Sequence, residues 1–168
     1  MLFKSESEVM PYLAEIYSGL SATKSMMTPT ALVEYLDDRV NAYAVRITAG
    51  VRIYAVDYRL AYLQIGAGAL LLLRALGMHE FVRGTFAQML LGKHVRYGDK
   101  GLLKWGHPGM LMRLGSKVDR ASNLLKNPHL DTDQSESVFD TVHDIIGYCV
   151  LGMMILDYKS TNSKGEKP

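Results

Sequence analysis

From Cys149 to Leu156 the chain reads CVLGMMIL, a run with no charged or strongly polar side chain at any angle around a helix. Helical spacing already holds from about residue 134, so one continuous helix over 134–158 is predicted. A helix that is apolar all round must be covered on every side by other elements. That requirement points to a mainly α helical bundle, in which the rest of the chain supplies the cover.

Candidate covering helices are present. Over about 109–126, Leu111, Leu114, Val118, Ala121 and Leu125 recur at three- and four-residue steps, and Asn127-Pro128 stops the pattern. Residues 5–20 read as a short helix, weakened by Pro11 and ended near Gly19. Thr28-Pro29 is a start signal, with threonine as N-cap and proline at the first helical position. It is followed by Leu32, Leu36 and Val40 on one side. Leu60–Leu73, bracketed by Arg59 and Arg74, falls short of the roughly 20 apolar residues of a spanning helix. It is read as a buried helix or a subunit contact. Residues 79–95 fit an amphipathic helix with Phe81, Val82, Phe86, Met89 and Leu90 facing inward.

Two stretches break the helical reading. From Tyr43 to Tyr58 β-branched and aromatic residues dominate around Ala49-Gly50, which predicts a small β-hairpin with Arg46 and Arg52 flanking its tip. Tyr97–Gly109 is glycine-rich and is predicted to be loop, at least in part, and the polar residues from Ser160 onward form a disordered tail. With no repeat and no long linker, residues 1–159 make one domain, an N-terminal extension (1–92) joined to a helical core (93–159).

Composition narrows the class. The 168 residues are 48% hydrophobic and 21% charged, enough apolar content for a core, and a net charge of +2 is too small to argue for nucleic acid. A single cysteine, Cys149, excludes an internal disulfide and a cysteine zinc site. The opening MLFKSESEVM lacks the charged-then-apolar order of an export signal, so a cytoplasmic protein is expected. The apolar stretches 60–73 and 149–156 favour a homo-oligomer, by default a dimer.

The chemistry-bearing residues sit on the last two helices. Arg113, Lys117 and Arg120, at i, i+4 and i+7, share one face of the first, and Asp119 lies apart from them. On the second, Glu136, Asp140 and Asp144 fall at i, i+4 and i+8 on nearly one side. Like charges so placed repel, and a divalent cation would reverse that cost. Two plainer readings stand beside this: a solvated acidic face, and Glu136 closing a capping box with Asp133.

In order, these residues form a pattern: Tyr97-Gly98-Asp99, the Trp105-Gly106 pair, Lys117-x-Asp119-Arg120, then Glu136-Ser137-x-x-Asp140-Thr141-x-x-Asp144-Ile145-x-x-Tyr148. It resembles the phage and bacterial nucleotide-modification-associated domain, a family related to the MazG-like all-α nucleoside triphosphate pyrophosphohydrolases. The resemblance covers about residues 97–157 and does not extend to 1–92. It implies a MazG-like bundle in the cytoplasm, the host's if phage-encoded, with a Mg²⁺ (or Mn²⁺) site held by Asp119, Glu136, Asp140 and Asp144. Asp119, Asp140 and Asp144 would be catalytic, Lys117 and Arg120 would hold phosphate oxygens, and Tyr97 and Asp99 match the loop motif. Trp105 would stack on a base or anchor the loop. The paired ExxE and ExxD motifs of MazG enzymes are missing from the two C-terminal helices, and Glu34-x-x-Asp37-Asp38 is a separate acidic cluster near the N-terminus.

Two functions follow as expectations: Mg²⁺-dependent pyrophosphohydrolysis of a (d)NTP or modified nucleotide, or non-catalytic binding of a nucleotide or host protein. His143-Asp144 also matches the HD dipeptide of phosphohydrolases, with His107 and Asp157 as distant partners. Gly98 and Gly101 lack the lysine and hydroxyl of a phosphate loop. Cys149, inside the apolar run, is read as core.

Overall fold

A computed structural model describes residues 2–20, 24–78, 81, 83–131 and 136–162. These residues form α-helices α1 (Glu6–Ser18), α2 (Pro29–Thr48), α3 (Ala55–Ala75), α4 (Arg83–Tyr97), α5 (Lys100–Lys126) and α6 (Val138–Asn162), with two short 3-10 turns. No strand occurs among the described residues. The protein is a mainly α helical bundle.

At its centre α3 packs along α6, and α5 packs against both α6 and α2. Ala61, Tyr62, Ile65 and Leu72 of α3 meet a core that includes Val142, Ile145, Ile146 and Cys149 of α6, all fully buried. The two helices approach closely because α6 carries Gly152: a Cβ there would lie 2.5 Å from the Tyr62 ring. Each of the two is long and apolar enough to cross a bilayer by length and composition, and most of each apolar window (61% and 72%) is buried within the bundle. The stretches 60–73 and 149–156 are thus largely covered within a single chain.

The N-terminal helices add a second layer. Thr28 caps α2, its hydroxyl accepting from the Ala31 N–H at 3.2 Å, and Leu32, Leu36 and Val40 turn inward as their spacing predicts. Helix α1 runs through Pro11 and ends at Gly19. It is tied down by Arg59 of α3, whose guanidinium reaches both Glu15 oxygens (2.8 and 2.6 Å) and Asp157 of α6 at 2.9 Å. Tyr12 donates to the same Asp157 at 3.0 Å.

Three expectations are corrected. The hairpin over 43–58 does not form: Tyr43–Thr48 are the last turns of α2, Gly50 turns the chain at φ +70°, and α3 begins at Ala55. The inward stripe of α2 continues through a buried Tyr43, so helical packing overrides the β preference of Val45, Val51 and Val56, which are all exposed. The loop over 97–109 shrinks to a turn at Gly98; α5 starts at Lys100 and kinks at Gly106, whose φ of +56° and ψ of −148° suit glycine. The tail is helical as far as Asn162, and 163–168 lie outside the described residues.

Candidate functional site

Helices α4, α5 and α6 enclose a cleft of about 570 Å³. Its polar wall is made by Lys93 of α4, Arg113 and Lys117 of α5, Glu136 just before α6, and Asp144 of α6. Tyr97 and Tyr148 add aromatic surface. The two carboxylates meet on one ammonium: Lys117 Nζ lies 2.6 Å from Glu136 Oε1 and 2.8 Å from Asp144 Oδ2. Lys93 Nζ holds the other Asp144 oxygen at 2.5 Å. Arg120 closes the chain of charges, with Nε 3.2 Å from Glu136 Oε2 and Nη2 donating to the Glu136 carbonyl at 2.9 Å.

Burial and charge act in opposition here. Burial raises the Asp144 carboxyl, but hydrogen bonds from Lys117 and Lys93 outweigh it and hold the group below its ordinary range. Burial likewise disfavours the charge on Lys117, yet its bonds to Asp144 and Glu136 raise it above its ordinary value. Both therefore stay ionised at neutral pH. Arg113 is different: it is exposed, its guanidinium lies 6.0 Å from the Tyr148 ring centre, and it has no carboxylate partner among the described residues. Its donors are free for a ligand, and Lys93 has used one of three.

The carboxylates expected to bind metal do not come together as a metal site. Both Asp144 oxygens face lysines, and both Glu136 oxygens face Lys117 and Arg120. Asp140 accepts from the Ser137 N–H (3.2 Å) and hydroxyl (2.8 Å), while the Asp140 N–H donates back to Ser137 Oγ at 3.0 Å. That is a capping box for α6, four residues later than the Asp133–Glu136 pair expected from spacing, and Asp133 lies outside the described residues. Asp119 is exposed, two positions and about 200° around α5 from Lys117. Among the described residues no three His, Cys, Asp or Glu side chains gather as ligands. In this arrangement the acid set does not fit Mg²⁺, which needs carboxylate oxygens free to face it.

The remaining expected residues divide. Tyr97 reaches the cleft rim and is 75% exposed. Asp99 turns inward, 2.6 Å from His94 Nε2; burial raises its carboxyl, but hydrogen bonds, including one from the Leu2 N–H, bring it below its ordinary value. His94 lines the cleft, stacks on Phe3 at 4.3 Å, and is lowered by burial more than Asp99 raises it. Trp105 lies outside the cleft wall, 61% exposed, with Lys104 Nζ 4.8 Å from its ring. His143 packs between Phe81 and Phe86 and its Nδ1 sits 2.7 Å from the Phe139 carbonyl, so it does not face the acids. His107 pairs with Tyr62 and Asp157 with Arg59, so neither converges on Asp144. Glu34 and Asp38 are exposed on α2, outside the cleft.

Lys93 and His94 are polar wall residues that spacing did not reveal, because both come from a helix outside the motif-bearing stretch. Arg113 was visible as part of the basic stripe. The legible signal was complementarity: a basic i, i+4, i+7 stripe on one helix followed by an acidic i, i+4, i+8 row leading into the next. Compared with protein-family models, with curated proteins and with solved structures, the chain shows no match.

Proposed function

We propose that this chain is a nucleotide-binding helical protein that holds its ligand's phosphate in the cleft between α4, α5 and α6. The observation that carries this reading is the convergence of Lys93, Arg113 and Lys117 on one cleft beside Tyr97 and Tyr148. Its volume of about 570 Å³ falls in the range of small-molecule sites. Guanidinium and ammonium groups supply charge-assisted bonds to phosphate, and the tyrosine rings offer flat apolar surface for a base. The resemblance of residues 97–157 to nucleotide-modification-associated domains supports the same ligand class. Within that class, a role in phage or bacterial nucleotide metabolism is the natural setting.

Between binding and pyrophosphohydrolysis, the geometry favours binding, because three of the four implied metal ligands, Glu136, Asp140 and Asp144, are spent on lysines, an arginine and a helix cap, and Asp119 lies on another face of α5. The test is a panel of mononucleotides and triphosphates titrated by calorimetry, with chromatography of any product formed with Mg²⁺. Binding of at least one nucleotide without turnover is expected, weakened about tenfold by Arg113→Ala or Lys93→Ala, the loss of one charge-assisted contact. Metal-dependent pyrophosphate release that disappears in Asp144→Asn would replace this reading with the hydrolytic one.

A further inference from the structure

We infer that Glu136 and Asp144 are the counter-ions of an anion site, one that takes a nucleoside monophosphate without a divalent metal and disfavours the triphosphate. The inference rests on the binding reading above and specifies its ligand.

The donors left free along the wall set the ligand. Lys117 gives two of its three N–H donors to carboxylates, whereas Lys93 has one ion-pair partner and Arg113 has none among the described residues. A phosphate in the cleft would therefore bond first to Arg113 and Lys93, with the Lys117 charge behind them. Asp144 links the lysines: by holding Lys93 and Lys117 through separate oxygens, it fixes ammonium groups from two helices against the same carboxylate. A carboxylate used in this way positions cations for an anion, and its own negative charge sets how much anion the site tolerates.

That charge limits the ligand. Lys93, Arg113 and Lys117 face Glu136 and Asp144, leaving a small positive excess along the wall. A phosphomonoester, about −1.5 to −2 at neutral pH, suits such an excess. A triphosphate carries more charge and would meet two carboxylates with no metal between. Divalent ions ordinarily relieve that conflict by bridging carboxylates and phosphates, but here the carboxylate oxygens already face protein cations.

The two roles for these carboxylates predict opposite mutant behaviour. Removing a metal ligand weakens triphosphate binding; removing a counter-ion strengthens it. Calorimetry on the full chain would use inorganic phosphate and the four deoxynucleoside mono- and triphosphates as probes, in EDTA and in Mg²⁺. Asp144→Asn is the direct variant, and Glu136→Gln, on the more exposed flank, serves where the first fails to fold. The expected result is a monophosphate whose Kd is shifted less than about twofold by Mg²⁺, with its triphosphate about tenfold weaker in EDTA. Either substitution should tighten the triphosphate by about tenfold in EDTA, close to the scale of one water-screened unit-charge contact. Nucleotide binding that requires Mg²⁺, or triphosphate binding weakened by both substitutions, overturns the inference and leaves the cleft reading standing. No binding in either buffer overturns both.

Discussion

Asp140 illustrates how the role of one carboxylate depends on a single neighbour. Ser137 precedes α6, and the reciprocal bonds between the two residues satisfy backbone N–H groups that the first helical turn leaves unpaired. If capping is its function, Asp140→Ala should cost about 1 kcal/mol of stability in urea denaturation and leave nucleotide affinity unchanged. A metal ligand would show the reverse pattern, with affinity falling and stability nearly constant. In the sequence Asp140 belongs equally to a metal row and to a Ser-x-x-Asp cap, because spacing at i+4 says which side a group projects from and nothing about its partner.

At the scale of elements, the α3–α6 contact organises the bundle, and it depends on what Gly152 lacks. A methyl group there would stand 2.5–2.7 Å from three carbons of the Tyr62 ring. Tyr62 is fully buried, and its hydroxyl pairs with His107 Nδ1 at 2.9 Å, so the ring has little freedom to yield. Gly152→Ala should therefore destabilise by about 1–3 kcal/mol through overpacking, although alanine is the better helix former. Equilibrium unfolding checks this, and a neutral or stabilising outcome would mean that α3 and α6 can separate freely. The same contact shows why the hairpin expectation failed. Val45, Val51 and Val56 suit a strand when taken alone, but the inward-facing stripe from Leu32 to Tyr43 continues α2 across the first half of that segment. Asp57, accepting from the Tyr54 N–H at 3.1 Å, then starts α3 in the second half.

For the whole molecule, buried imidazoles give stability a pH dependence. His107 sits at the α5 kink among Tyr58, Tyr62 and the charge of Lys159, and burial depresses it from 6.5 to about 4. A depressed histidine binds its proton more readily in the unfolded chain, so its contribution is complete above pH 6.5 and is lost as pH falls toward 4. At 1.36 kcal/mol per unit that loss is about 3 kcal/mol. His94, lowered by burial as well, adds to it in the same direction. Denaturation at pH 7 and pH 4.5 should show this decline, and His107→Gln should flatten it to what His94 leaves. A slope unchanged in the variant would assign the decline to other groups.

Much of this protein was decided by local pattern. An apolar run that continues a helix must be covered, a Thr-Pro pair starts a helix, and stripes at three- and four-residue steps mark inward faces; each of these depends on residues within a few turns of one another. The bundle, its caps at Thr28 and Gly19, and most of the core followed from such rules. Tertiary structure alone decided the partners. Lys93 reaches Asp144 from a helix 51 positions away in the chain, and Lys117 draws in Glu136 and Asp144 together. An acidic row is the same in sequence whether it faces water, metal or lysine. Only packing α4 and α5 beside α6 turned this one into the negative half of a charge-paired cleft.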